Sequence, residues 1–224
     1  MILPFKIFDS YDVKIYGCNV GMQWEAKTFH DLLSSMPVFL QKKILAYAGW
    51  KDRQSRLAGK SLLSWLLKEI GEDELIDLTK LKFSSHNKPY FEGGIEFSIA
   101  HSNDIVICGI SKKILGVDVE EVRMVDVKDY LEYFHPFDID IIKNSIDPLQ
   151  SFYRLWTRRE ALAKALGSGV EFTAMVVLDQ ENCFIEGRLF DILAIKIADC
   201  YVGSVIIENY NGEDCFKRIS DYAG

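Results

Sequence analysis

Gly116-Val117-Asp118-Val119-Glu120 and Trp156-Thr157-Arg158-Arg159-Glu160-Ala161-Leu162-Ala163-Lys164 are the two stretches on which the reading of this chain turns. The first alternates apolar and acidic residues. That is the pattern of a short strand, and it points Asp118 and Glu120 to the same side. The second has helical character, with Glu160 one turn ahead of Lys164 on a shared face. Two carboxylates on one strand face repel each other unless a cation or a proton lies between them. With Glu160 they make an oxygen-rich set suited to a hard cation such as Mg²⁺, and Lys164 stands by for a phosphate leaving group. Arg158 and Arg159 are expected to add positive charge beside that phosphate. The expectation is a phosphoryl-transfer site. Each stretch also has a plainer reading. Alternation describes any half-exposed strand, and Glu160 with Lys164 describes an ordinary surface ion pair. A capping box at Thr157 and Glu160 does not fit, because the apolar periodicity continues upstream through Phe152 and Leu155 and leaves Thr157 mid-helix.

Working outward, the second helix is well bracketed. Asp147 suits its N-cap, Pro148 its first position and Gly167 its end, with Phe152, Leu155, Trp156, Leu162 and Leu166 as a core stripe. Upstream, the pattern predicts a strand over Tyr11 to Val20. Helices follow from about Met36-Pro37 to Tyr47 and from about Asp52 to Ile70, the latter with Leu57, Leu62, Leu63, Trp65, Leu66 and Leu67 inward and Gly71 as its cap. A turn at Gly93-Gly94 precedes strands over Ile95 to Ala100 and Ile105 to Ile110. After the acidic strand come a helical stretch over Lys128 to Phe134 and the long helix. Strands over Thr173 to Leu178, Leu189 to Ala198 and Tyr201 to Glu208 close the chain. Helices followed by antiparallel strands in each half predict two α+β lobes, residues 1–112 and 113–224, with a seam near Ser111-Lys112-Lys113.

The 224 residues suffice for a sizeable core, and 49% hydrophobic against 26% charged residues is a globular profile. A net charge of -7 argues against a nucleic-acid binder. Cys18, Cys108, Cys183, Cys200 and Cys215 form no CxxC pair, which points to free thiols rather than zinc. The opening residues are too short an apolar run for a signal sequence, and no run of about 18 apolar residues spans a membrane. A reducing cytoplasm fits these features.

Phosphate binding has no Walker-type loop to draw on, and no nucleophile elbow is present. Basic side chains must supply it. Lys42, Lys43, Lys51, Arg53, Arg56 and Lys60 form a basic run that serves either as a solvated helix face or as a seat for a terminal phosphate. Phe97-Ser98-Ile99-Ala100-His101-Ser102 carries a His and a Ser to the end of a strand.

Lys88-Pro89, the 97–102 stretch and the two opening stretches, in this order, resemble the 4′-phosphopantetheinyl transferase family, in its two-lobed, Sfp-type class. The resemblance runs from about residue 40 to 205. It implies two pseudo-symmetric α+β lobes with the active site in the cleft between them and coenzyme A bound there. By that resemblance Asp118, Glu120 and Glu160 hold Mg²⁺, or Mn²⁺ in its place, against the pyrophosphate, and Lys164 stabilises or protonates the departing 3′,5′-ADP. His101, with Lys43 and one or more of Lys51, Arg53 and Arg56, grips the ribose 3′-phosphate. Lys88 and Pro89 flank the adenine, and Ser102 lies beside the nucleotide. Ala100 stands where the family commonly has Ser, Asn87 where it has Gly, Ser55 where many members have Arg, and Asp138 where Glu is usual. Of Asp138 and Glu160, the latter is the expected base. The implied reaction transfers the 4′-phosphopantetheine arm of coenzyme A to a serine of an apo acyl or peptidyl carrier protein. The expected enzyme is a cytoplasmic monomer, a pseudo-dimer within one chain, acting with neither nucleic acid nor membrane. The alternatives are a Mg²⁺-dependent hydrolase of a nucleotide-type pyrophosphate and a non-catalytic nucleotide-binding protein of the same fold.

Overall fold

Two four-stranded antiparallel sheets, each carrying one long helix, organise this α+β chain. A computed structural model describes residues 2–10, 12–72, 76–84, 87–178 and 181–209. Tyr11, Cys215 and the end of the second predicted lobe lie outside the described residues.

The first sheet has the order β1 (Phe5–Asp9), β2 (Val13–Asn19), β6 (Ile105–Ser111), β5 (Glu96–Ser102). Between β2 and β5 the chain forms α1 (Ala26–Ser34), α2 (Val38–Leu45), α3 (Trp50–Glu69) and a small ribbon of β3 (Lys82–Phe83) and β4 (Pro89–Tyr90). Leu57, Leu62, Leu63, Leu66 and Leu67 of α3 are buried against Cys18, Phe97, Val106, Cys108 and Ile110. Each such side chain removed from water contributes about 1.5–3 kcal/mol.

The second sheet has the order β7 (Leu115–Glu121), β10 (Tyr201–Glu208), β9 (Arg188–Ile195), β8 (Asn182–Ile185). Ahead of β8 lie α4 (Pro136–Asn144), α5 (Pro148–Leu166) and the short α6 (Val170–Thr173). The bounds of α5 follow from local chemistry. The Asp147 carboxylate accepts from the Gln150 amide at 2.9 Å, Pro148 occupies the first turn, and Gly167 ends the helix in the left-handed region at φ +70°. Phe152, Leu155 and Leu162 bury its inner stripe, of which Phe152 and Leu162 pack with Phe190, Val202 and Ile206.

The faces turned away from the helices meet in a third core. Ile15, Ile105 and Ile107 of the first sheet pack there against Leu115, Val117, Val119, Val205 and Ile207 of the second. The edge strands β5 and β7 lie side by side at this junction. Ser98 Oγ accepts from the Val117 amide at 3.0 Å, and Ser102 Oγ accepts from the Glu121 amide at 3.0 Å. Both contacts span 19 residues, so the two strands run parallel, stitched by serine hydroxyls.

One expected element is absent. Thr173 to Leu178 is no strand. Thr173 ends α6 and the rest turns away after it, with the buried guanidiniums of Arg158 and Arg159 taking its carbonyls: Leu178 O at 2.5 Å from Arg158, and Thr173 O and Val176 O from Arg159. Carbonyls engaged in this way are lost to a ladder. The helical stretch expected over Lys128 to Phe134 is present as a 3-10 helix over Val127–Tyr133, begun by Asp126 accepting from the Lys128 amide at 3.1 Å. β1, α1, α4 and β8 add to the elements expected from the sequence pattern. Three free cysteines are buried and Cys200 is exposed. Among the described residues no helix is long and apolar enough to cross a membrane.

Candidate active site

Gly116 sets the site. A Cβ built there would lie 1.9 Å from Ala161 O and 2.7 Å from Ala165 N, so the backbone of α5 rests directly on β7. Asp118 and Glu120, at the next even positions, face the same helix. On α5, Trp156, Glu160 and Lys164 recur every four residues and share one face. Helix and strand thereby bring the residues of the two quoted stretches together.

Lys164 Nζ donates to Asp118 Oδ1 at 2.6 Å. Asp118 is only 3% exposed, and its other oxygen, Oδ2, is buried with no hydrogen-bond partner. Burial pushes the Asp118 carboxyl up to about 7; Lys164 pulls it down, and Glu120 and Glu160 add to the rise. Glu120 is also raised, first by burial and then by Glu160. Ser102, Lys164 and the Trp156 indole N–H oppose that rise. The Ser102 hydroxyl donates to Glu120 Oε2 at 2.8 Å. For Lys164, burial works against the charge, but Asp118, Glu160 and Glu120 outweigh it and lift the ammonium above its ordinary range. An excess of desolvated negative charge thus surrounds a single lysine.

These residues fit a divalent cation. Among the described residues, no three His, Cys, Asp or Glu side chains converge on one point. Mg²⁺, however, needs only one or two carboxylates and draws its remaining oxygens from water and substrate phosphate. The partnerless Oδ2 of Asp118 and the raised acids are what such an ion would relieve.

Residues 114–204 match the model of the 4′-phosphopantetheinyl transferase superfamily, a span that holds β7, α5 and the first half of β10. Over this span the chain is similar to the 4′-phosphopantetheinyl transferase superfamily, and it is similar to enzymes of that name over most of its length. It is 28% identical over 160 residues to the 4′-phosphopantetheinyl transferase gsp of Aneurinibacillus migulanus, covering 70% of this chain and 67% of that protein. A 4′-phosphopantetheinyl transferase of Bacillus subtilis is 23% identical over 217 residues, 93% of this chain and 87% of the relative. The transferase Sfp of Bacillus subtilis strain 168 is 22% identical over 164 residues, 70% and 72% of the two chains.

The residues expected to bind the nucleotide separate. His101, next to last in β5, is exposed, yet its pKa is lowered by desolvation, then by Arg56 and Lys164. It therefore sits within the field of both the basic run and the carboxylate site. Lys43 lies over the Phe83 ring at 3.3 Å, and Arg56 over Tyr47 at 3.8 Å. Lys51 and Arg53 are engaged elsewhere. Lys51 donates to Asp104 at 2.6 Å and to Asn103; Arg53 donates to the carbonyls of Tyr47 and Ala48, both at 2.7 Å, just past α2. Lys88 Nζ reaches across to Ala165 O at 2.8 Å and so caps α5, while Pro89 pairs opposite Phe83. Beside Lys88 a cavity of 330 Å³ is lined by Glu96, Ala165, Leu166, Ser168 and Arg188.

Two expectations change at this level. Arg158 and Arg159 do not face a phosphate. Both are buried, and Arg159 pairs with the fully buried Asp138 of α4, because positions 158 and 159 lie off the face shared by Glu160 and Lys164. Asp138 is thus a structural carboxylate held by Arg159. Sequence reasoning placed Trp156 in the core alone. It does pack on Tyr130, Tyr133 and Phe152, but it also lies close enough to Glu120 to help lower the pKa of that carboxyl. Its four-residue spacing from Glu160 was the signal available for this.

Proposed function

We propose that this chain transfers the 4′-phosphopantetheine arm of coenzyme A to a serine hydroxyl of an apo acyl or peptidyl carrier protein and releases 3′,5′-ADP. The observation that carries this reading is the crossing of α5 over Gly116. It gathers Asp118, Glu120, Glu160 and Lys164 within the span that matches the family.

In this mechanism Glu160, the half-exposed carboxylate of the group, takes the proton of the incoming serine. The serine oxygen attacks the β-phosphorus of coenzyme A. The bond to the bridging pyrophosphate oxygen breaks, and its electron pair leaves with 3′,5′-ADP. Lys164, which stays charged because three carboxylates surround it, stabilises or protonates that departing group. Asp118 and Glu120 are the residues that would hold Mg²⁺, with Glu160 close by, and the ion when bound would neutralise charge on the pyrophosphate. Ser102 orients Glu120. His101, with Lys43 and Arg56, grips the terminal phosphate, and Lys88 and Pro89 flank the adenine. We take residues 1–112 and 113–224 as two lobes and the enzyme as a cytoplasmic monomer acting away from nucleic acid and membrane. The net charge of -7 supports the exclusion of nucleic acid.

Mass spectrometry of an apo carrier protein incubated with the enzyme, coenzyme A and Mg²⁺ tests this. A carrier heavier by one phosphopantetheine arm is expected across part of a panel of apo carriers. Release of free phosphopantetheine with every carrier unmodified would replace transfer by hydrolysis, and no reaction at all would leave only nucleotide binding.

A further inference from the structure

Lys88 belongs to the ribbon beside the first sheet, yet its ammonium ends on the helix of the second. It stands just before β4, and its Nζ donates to Ala165 O of α5 at 2.8 Å while Glu96, the first residue of β5, lies 3.8 Å away. Ala165 is in the last turn of α5, where carbonyls have no partner within the helix. The amides of Gly167 and Ser168 both turn back to Ala163 O, so neither serves Ala165 O. A cation at this point also meets the negative end of the helix. Ala165 is fixed on its other side as well, since its amide nitrogen lies 2.7 Å from a Cβ built on Gly116.

Packing alone holds this turn weakly. The 330 Å³ cavity borders Ala165, Leu166 and Ser168, and Ser168 Oγ is buried with no partner. Atoms that face a void lose the dispersion contacts that would otherwise hold them. Lys88 lines the same cavity, and its Cδ lies 3.0 Å from a Cβ built on Gly167, so the helix ends directly under the lysine stem. The side chain is 25% exposed, and its bonds compete with little water.

We infer that Lys88 is a positioning residue: its ammonium straps the last turn of α5 to the first sheet and thereby holds the neighbouring Lys164 on Asp118. This rests on the proposed function, in which the stem of Lys88 flanks the adenine and Lys164 meets the leaving group. One side chain then joins the seat of the base to the helix that carries Glu160 and Lys164. Without the strap the turn is free to shift, and Lys164, one residue back, moves with it.

Lys88→Met keeps an apolar stem and removes the ammonium, and measurements on the whole chain read the result. Hydrogen exchange followed by mass spectrometry should show peptides over 163–168 exchanging about tenfold faster or more, the loss expected for one charge-assisted contact. Calorimetry with adenosine 3′,5′-bisphosphate should give an affinity within about threefold of wild type, because the stem that flanks the base is kept. Transfer to an apo carrier at saturating coenzyme A should fall about tenfold or more in kcat, since a misplacement of about 1 Å suffices for that. Lys88→Arg, whose guanidinium still donates to a carbonyl, should restore both protection and kcat. A residue that only touched the base would lose nucleotide affinity and keep kcat. One that only stabilised the fold would lower the urea midpoint and keep both. Either pattern, or unchanged exchange over 163–168, would overturn the assignment. If Lys88→Met does not fold, Lys88→Gln removes the charge, shortens the reach and is read against the same outcomes. If the wild type modifies no carrier while exchange still responds to Lys88→Met and recovers in Lys88→Arg, the proposed function fails and the strap stands.

Discussion

Gly116→Ala tests whether the contact between α5 and β7 builds the site. Glycine is a poor strand residue, so local propensity alone predicts that alanine here is neutral or slightly stabilising. The tertiary structure predicts the opposite. The new methyl would lie 1.9 Å from a helix carbonyl and 2.7 Å from a helix amide. Neither atom can turn away, since both belong to the backbone. To reach ordinary contact the helix must retreat by about 1.5 Å, and overpacking of this kind typically costs about 1–3 kcal/mol or more. The retreat would also carry Glu160 and Lys164 away from Asp118, and a shift of about 1 Å can cost about 10²-fold in rate. Urea denaturation reads the stability, and carrier modification followed by mass reads kcat/KM. Gly203→Ala on β10 is the control. Its Cβ would meet only side-chain atoms of Ile195 and Ile197, at 2.8–3.0 Å, and these can move aside. Expected are a lower urea midpoint and a loss of about a hundredfold for Gly116→Ala, with far milder effects for Gly203→Ala. A Gly116→Ala protein with wild-type turnover and a stability within about 0.5 kcal/mol of the parent would show that the contact neither anchors the helix nor positions its residues.

Other perturbations separate the structural charges from the catalytic ones. Arg159→Met leaves Asp138 buried and unpaired and should destabilise the fold by about 3–5 kcal/mol; a urea midpoint close to wild type would contradict the buried pair. Asp118→Asn should change how stability follows pH in chelator-treated buffer. The folded carboxyl titrates near 7 against an ordinary 3.8, so the folded state binds more protons between those values. The stability from this group is complete below about 4 and is lost as pH rises to about 7. The wild type should therefore weaken relative to Asp118→Asn across that window, and parallel curves for the two proteins would refute the shift. Glu160→Gln should lower turnover by about 10²–10⁴-fold in a folded protein, and Lys164→Ala should reduce kcat more than coenzyme A affinity. Equal losses in rate and affinity would make Lys164 a binding residue only.

What the sequence alone determined is what depends on neighbours along the chain. Asp147, Pro148 and Gly167 bound α5 as read, because caps and turn glycines act within a few residues. The two-residue spacing of Asp118 and Glu120 and the four-residue spacing of Glu160 and Lys164 placed each pair on one face by geometry alone. The fate of each charge was decided only by tertiary structure. Arg158 and Arg159 looked like phosphate ligands, yet they sit buried, taking carbonyls of residues 173–178 and, for Arg159, pairing with Asp138 of α4. Lys51 and Arg53 looked equal to Lys60 in the basic run, yet they are consumed by groups around them while Lys60 lies over Phe97 without a counter-ion. Nor does the sequence announce that two serines of one edge strand stitch it to a second sheet. Backbone preferences are local and short in range. The partner of a charge is chosen by desolvation and by groups brought near from distant parts of the chain, and only the folded arrangement specifies those.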